Sequence, residues 1–414
     1  MSNPDTGEAF YPIILGSDIN AYGIARSIYA EYGICSTIVC STVLTYCRYT
    51  RFIKTKIIEP NIENDDIFVK TLKELAKNHL YRDKKLLLLP CGDGYAKLIT
   101  KHKDSLKNLF IFPNTDHNTF LKLATKESFY ELCQTKNVPY PKTSLCTKET
   151  YKNLSIDLSF PLIVKPSNSA MYWQTRFPGK KKVFIANNNT ELNLILEAVY
   201  NSTYTDPLIL QEYIPGDDSN IKEVIVYINR HDDVEFMLFV DVILEECTPD
   251  GLGSIAGATV GYNQTVFDTV IQFLKGTGYR GFAGFDIKFD SRDNQYKFFE
   301  MNLRLTRTSF IMTGAGYNFS RFIVDDLILQ KDSKKIILAK DDVLYRIIPA
   351  KLLFKYCNDP KIHQKMRSLI AGKKVCTPFF DSKNDCGLLR CFEYLRNQSS
   401  YSKKYKKYFY NRSY

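Results

Sequence analysis

The residues best spaced for chemistry flank the polar turn Ser291-Arg292-Asp293-Asn294. If that turn centres on Asp293, Asp286 and Glu300 lie equally far from it and face each other across two antiparallel strands. Asn302 follows Glu300 by two and therefore projects from the same strand face. Two carboxylates and an amide oxygen gathered in this way suit magnesium, which takes a few protein oxygens and leaves its other positions to water and substrate phosphates. Arg304, two residues further on, would bring a fixed cation to phosphate oxygens or to a developing oxyanion. A second cation, Lys165, ends the apolar run 160–164. A lysine leaving a buried strand needs an anion or a way out to water, and a phosphate is a reasonable anion. In a third element, residues 208–218, an apolar strand gives way to a polar hinge. Its backbone groups can meet the edge of an adenine, while an acid just past Gly216 reaches ribose hydroxyls.

The elements that must position these residues follow from apolar periodicity. Strands are expected over 11–15, 35–40 and 86–90, with a turn at Gly16-Ser17-Asp18 and a helix over 21–32. This alternation implies an α/β layer with a parallel sheet over about 10–112. The turn after the first strand is not GxGxxG, which gives a dinucleotide site no support. Loops 16–20 and 91–95, at the carboxyl ends of parallel strands, are the substrate-side candidates. A helix over 118–134 ends before Pro139-Tyr140-Pro141. A strand-rich stretch follows, with strands at 160–165, 183–186, 208–213, 223–229, 234–244, 282–289 and 295–302, and a helix over 191–200. Residues 167–182, with the run Lys180-Lys181-Lys182, could form a flap over phosphates.

A hydrophobic share of 44% with 24% charged residues excludes a disordered or fibrous chain. Eleven cysteines without a CxxC pair suit a reducing compartment rather than a disulfide framework or a zinc site. The opening Met1-Ser2-Asn3-Pro4-Asp5 lacks the start of a secretory signal, so a cytosolic location is expected. The net charge of +11 fits a nucleotide, an anionic membrane or nucleic acid. Part of it lies in the last fourteen residues, which hold Lys403, Lys404, Lys406, Lys407 and Arg412 and no acid. Two readings stay open for that tail: a frayed, solvated end, or weak docking at the inner face of the membrane.

In their order along the chain, these elements resemble the ATP-grasp superfamily over roughly residues 10–330. The resemblance implies an α/β (α+β) ATP-grasp fold divided into a Rossmann-like N-terminal domain (1–112), an ATP-grasp domain (113–330, lid about 150–213) and a basic, mainly helical extension (331–414). It implies ATP and Mg2+ as cofactors. Lys126 and Lys165 would hold phosphates, Gln211, Glu212 and Ile214 the adenine, Asp218 the ribose, and Asp286, Glu300 and Asn302 the metal, while Arg304 and Lys165 would serve catalysis. Leu303 stands where many relatives have proline, and the flap is poor in glycine. Segments 14–22, 165–169 with 179–183, and 302–307 are similar to those of bacterial D-aspartate ligases. That likeness implies an amino-acid carboxylate as one substrate and an amine of a peptidoglycan precursor as the other, joined through an acyl phosphate. The alternatives are ligation of another amino acid, carbamoyl-phosphate-like chemistry, or a basic nucleic-acid-binding protein. The last would explain neither the opposed acids nor the hinge. No general base is evident.

Overall fold

The computed structural model describes residues 10–411, apart from 168, 249, 250 and 334. Asn168 of the expected flap and Arg412 of the tail thus lie outside the described residues. Strands β1 (Phe10–Leu15), β2 (Ser36–Cys40), β3 (Ile53–Ile58) and β4 (Lys85–Pro90) form a parallel sheet in the order β3-β2-β1-β4. The central strands read as unbroken apolar runs because both faces are covered. Phe10, Ile14, Leu87 and Leu89 pack with Tyr22 and Ala25 of helix α1 (Ile19–Tyr32), whereas Ile13, Leu15, Leu86 and Leu88 pack with Phe68, Leu72 and Leu98 on the other side. Asp18 caps α1, its carboxylate accepting the Asn20 and Ala21 N–H groups at 2.9 and 3.0 Å. Gly16 is required at the turn, since its φ is +117° and a Cβ would stand 2.0 Å from Cys91 Sγ. Helix α2 (Asp93–Lys101) starts just beyond Cys91.

The helix expected over 118–134 is two helices, His117–Ala124 and α3 (Lys126–Thr135). The break falls at Thr125, whose backbone is extended, and it makes Lys126 the first residue of α3. A small antiparallel sheet follows, with β5 (Thr143–Cys146), β6 (Leu162–Pro166), β7 (Phe184–Ala186) and β8 (Leu208–Glu212) in the order β5-β8-β6-β7. One of its faces packs on helix Asn189–Tyr200.

The largest sheet runs β13-β12-β9-β10-β11-β15-β16, with β14 beside β10. Its strands are β9 (Ile221–Ile228), β10 (Val234–Glu245), β11 (Ile255–Gly261), β12 (Gly281–Asp290), β13 (Gln295–Asn302), β14 (Ile337–Leu338), β15 (Leu344–Arg346) and β16 (Val375–Cys376). The C-terminal extension is therefore not simply helical. It contributes β14 to β16, strands of two or three residues that are too short to show a period of two.

Over residues 401–411 the tail is not frayed. Helix α4 (Leu388–Tyr408) turns Arg390, Tyr401 and Tyr405 inward. Arg390 lies over the Tyr22 ring and pairs with Asp385 at 3.2 Å. The Tyr405 hydroxyl donates to the Glu245 carbonyl at 2.7 Å, and its ring packs on Tyr356. The opposite face carries Leu388, Phe392 and Leu395, at 91%, 64% and 64% exposure, then Lys403 and Lys406. Among the described residues, no helix is long and apolar enough to cross a membrane.

Tyr405→Ala should cost about 3–5 kcal/mol of folding free energy, the usual range for truncating a large buried aromatic side chain. Urea unfolding curves that coincide with wild type would show that the tail adds nothing to the fold.

Candidate active site

The β12–β13 hairpin pairs Asp286 with Glu300 as counting predicts, but by a route the count does not contain. From Asp290↔Gln295 to Ile287↔Phe298 the strands run in simple register, and on that register Asp286 would face Phe299. A bulge leaves Phe299 over and moves Glu300 into the place opposite Asp286. The bulge is tied down from outside the sheet: the Tyr130 hydroxyl, on α3, donates to the Phe299 carbonyl at 3.1 Å. Gln211 of β8, fully buried, donates in turn to Tyr130 Oη at 2.8 Å. On its other side β12 pairs with β9, which sets Glu223 opposite Asp286. Glu223, Asp286 and Glu300 therefore form one row across three adjacent strands.

Cations reach this row from separate elements. Lys126 Nζ lies 3.5 Å from Glu300 Oε2. Lys165, at the end of β6, donates to Gln211 Oε1 at 3.0 Å and stands over the Phe299 ring. Burial, reinforced by Lys126, brings the Lys165 ammonium down to about 7. Burial pushes the Glu300 carboxyl up, but Lys126 and Lys165 more than offset it and hold it at about 2. Asp286 goes the other way: burial first, then the charges of Glu300 and Glu223, raise it well above the usual carboxylate range. Asn302 Nδ2 donates to Asp286 at 3.0 Å, and Arg304 reaches Asn302 Oδ1 at 3.4 Å and Asp93 Oδ2 at 2.8 Å. Among the described residues, no three His, Cys, Asp or Glu side chains form a self-sufficient metal cage. The set at hand is two carboxylates and an amide, which suits an ion that shares its coordination with phosphate oxygens.

The hinge has a firm back. Glu212 accepts the Lys142 N–H at 2.8 Å and pairs with Arg292 at 3.0 Å, while its own N–H donates to the Lys142 carbonyl at 2.9 Å. Ile214 is buried beside it. Asp218 departs from the expectation of an acid open to a ribose. It is buried, and its carboxylate accepts the Glu245 N–H of β10 at 2.9 Å, because the short 3-10 helix Asp218–Asn220 turns it inward.

No family model matches the chain. Across 419 residues, 99% of this chain and 99% of the other, it is 36% identical to a D-aspartate ligase of Enterococcus faecium (strain Aus0004). The chain belongs to the D-aspartate ligase family. Among solved structures it is similar to an L-amino acid ligase from Bacillus licheniformis, with a TM-score of 0.58 and 12% identity over 78% of this chain and 74% of that one. It is also similar to the N5-carboxyaminoimidazole synthetase of Staphylococcus aureus complexed with ADP, with a TM-score of 0.57 and 13% identity over 81% and 82%. These two likenesses carry the fold alone, which is the ATP-grasp fold. As a member of the D-aspartate ligase family, the chain is an ATP-dependent carboxylate–amine ligase and forms a C–N bond.

Several residues around this candidate site escape motif reading. Tyr130 lies one helical turn beyond Lys126, a spacing of four that puts both on one face of α3. Glu223 had one signal, an acid inside the apolar run of β9. Asn20 and Asp93 fall in the loops singled out as substrate-side. Asn20 Nδ2 donates to Leu305 O at 2.7 Å and Cys91 O at 3.2 Å, joining the parallel sheet to the segment that carries Arg304.

Lys165 gives the ligand-free protein a pH signature. Between about pH 7 and its ordinary value of 10.5, the unfolded chain holds a proton that the folded lysine lacks, so stability should rise with pH across that window. Lys165→Met should flatten the rise. Urea midpoints that climb equally in both proteins would mean that Lys165 titrates as an ordinary surface lysine.

Proposed function

We propose that the chain spends ATP to join D-aspartate to an amine of a peptidoglycan precursor. The observation that carries this reading is the 36% identity along 99% of both chains. The site's charges support it. Asp286, an acid disfavoured by its neighbours, and Lys165, an ammonium short of an anion, suit a magnesium–triphosphate pair that brings both signs. Asp286, Glu300 and Asn302 would hold the magnesium, which when bound neutralises phosphate charge. Lys126 and Lys165 would grip phosphate oxygens, and the backbone of Gln211, Glu212 and Ile214 the adenine. Asp218 would need to leave Glu245 to reach a ribose.

Arg304 orients the acid. A D-aspartate carboxylate oxygen attacks the terminal phosphorus, the bond from that phosphorus to the bridging oxygen breaks, and ADP leaves with the electron pair. An amine then attacks the acyl carbon, a C–N bond forms, the C–O bond to phosphate breaks, and the amine proton passes to phosphate or water. The protein's contribution is positioning and charge compensation. Screening ADP release with a panel of D- and L-amino acids, with and without precursor, tests the reading. Release that depends on another acid would replace D-aspartate.

Asp286→Asn and Glu300→Gln should each lower turnover by about a hundredfold or more, as loss of one aligned electrostatic contact commonly does, and should leave a cooperatively folded protein. Near-normal ligation by both at saturating magnesium would remove the metal assignment.

The outer face of α4 favours a weak contact with anionic lipid, since Leu388, Phe392 and Leu395 lead directly into Lys403 and Lys406. Phe392→Glu with Leu395→Glu should weaken co-sedimentation with anionic vesicles at low salt and leave turnover on a soluble amine unchanged. Equal sedimentation would refute the contact.

A further inference from the structure

The segment that carries Arg304 holds a second guanidinium, which the chemistry above leaves unused. Arg307 opens the short 3-10 helix Arg307–Ser309, and its backbone is fixed on both sides. The Thr306 N–H donates to Ser309 Oγ at 2.8 Å, and the Tyr345 hydroxyl of β15 donates to the Arg307 carbonyl at 3.0 Å. Thr306, Thr308 and Ser309 are buried, whereas Arg307 is exposed. Its Nη1 donates to the neutral Ser254 Oγ at 3.1 Å, at the end of the turn that joins β10 to β11. Among the described residues Arg307 makes no ion pair, unlike Arg304, which has Asp93. Glu246, at the foot of the same turn, is engaged elsewhere: its carboxylate accepts from Tyr401 Oη at 3.4 Å, and its N–H donates to the Ser254 carbonyl at 2.7 Å.

A second cation reaches this turn from the lid. Lys182 Nζ donates to the Leu252 carbonyl at 2.7 Å, and Lys182 also makes no ion pair among the described residues. Leu252 and Ser254 thus each receive a cation while offering it only a neutral acceptor. Two like charges gathered on one short turn repel, and an anion set beside them relieves both. D-Aspartate has two carboxylates, of which the reaction consumes one, and a guanidinium fork matches a planar carboxylate. We propose that Arg307 binds the carboxylate of D-aspartate that does not react, while Arg304 orients the one that does, and that this division selects a dicarboxylic acid. The proposal rests on the reading that D-aspartate is the acid.

The test compares steady-state constants and thermal unfolding of wild type, Arg307→Gln and Arg307→Lys. Arg307→Gln should raise KM for D-aspartate about ten- to a hundredfold, the range for a lost hydrogen bond to a charged group, and should leave KM for ATP nearly unchanged. Arg307→Lys, which keeps the charge without the fork, should recover part of the loss. D-Alanine and β-alanine each keep a different one of the two carboxylates, so their inhibition constants against D-aspartate separate the roles. In Arg307→Gln one constant should rise with KM and the other should hold. All three proteins should melt alike, because the side chain is exposed. An unchanged KM for D-aspartate in Arg307→Gln would overturn the proposal, as would inhibition constants that rise together, or a lower melting temperature with D-aspartate and ATP weakened equally. A wild-type protein inactive on D-aspartate would instead sink the substrate reading. The subsite would then stand or fall on whether the acid that supports ADP release carries a second carboxylate and needs Arg307 for it.

Discussion

Charged carboxylates on neighbouring strands repel, and the centre of this protein is built around three carboxyl groups, of which burial pushes Asp286 and Glu223 toward the protonated form. Residues directly opposite across a sheet have Cβ atoms about 5 Å apart, and at an effective dielectric of about 20 two charges at that spacing cost about 3 kcal/mol. That is a sizeable part of a typical folding stability of about 5–15 kcal/mol, so the row cannot stand uncompensated. Cations from other parts of the chain gather about it. Lys126 comes from the start of α3 and Lys165 from the small sheet, both beside Glu300. Arg304 comes from the segment after β13 and pairs with Asp93, while Asn302 donates to Asp286 in the middle of the row. The site exists only once these elements have docked.

The docking is made specific by hydrogen bonds that converge on one bulge. Gln211 sits at the crossing, giving one contact to Tyr130 and taking another from Lys165, while Tyr130 holds the Phe299 carbonyl. The hinge strand, the phosphate-type lysine and the register of the carboxylate hairpin are therefore adjusted together. A buried network of this kind is fully paired or it is costly, which fixes one arrangement rather than several.

The opposition of Asp286 and Glu300 was legible in the sequence, for a partly fortunate reason. Asp286 and Glu300 were paired by counting from a turn centred on Asp293, whereas the turn lies half a residue earlier and the bulge at Phe299 makes up the difference. Asn302 followed from alternation along β13, whereas the strand ends there and Arg304 reaches Asn302 Oδ1 from the segment beyond it. The place of Glu223 in the row was illegible because it depends on β9 lying beside β12, an order that sequence proximity does not give. The burial of Asp218 was illegible because its partner, the Glu245 N–H, belongs to another strand. In the tail, composition left a solvated end and a docking role open, while Tyr405 is held by Tyr356 and the end of β10 and Tyr401, four residues earlier on the same helical face, donates to Glu246. Long-range partners explain each of these departures.

The central claim is that the row and its cations activate a carboxylate by phosphorylation before the amine arrives. D-Aspartate labelled with 18O in its carboxylates, turned over with ATP, magnesium and a competent amine, tests this directly. The account predicts one 18O atom in each released phosphate, since the oxygen that attacks phosphorus leaves with it. Phosphate free of 18O from a turnover that still forms the amide would contradict the account.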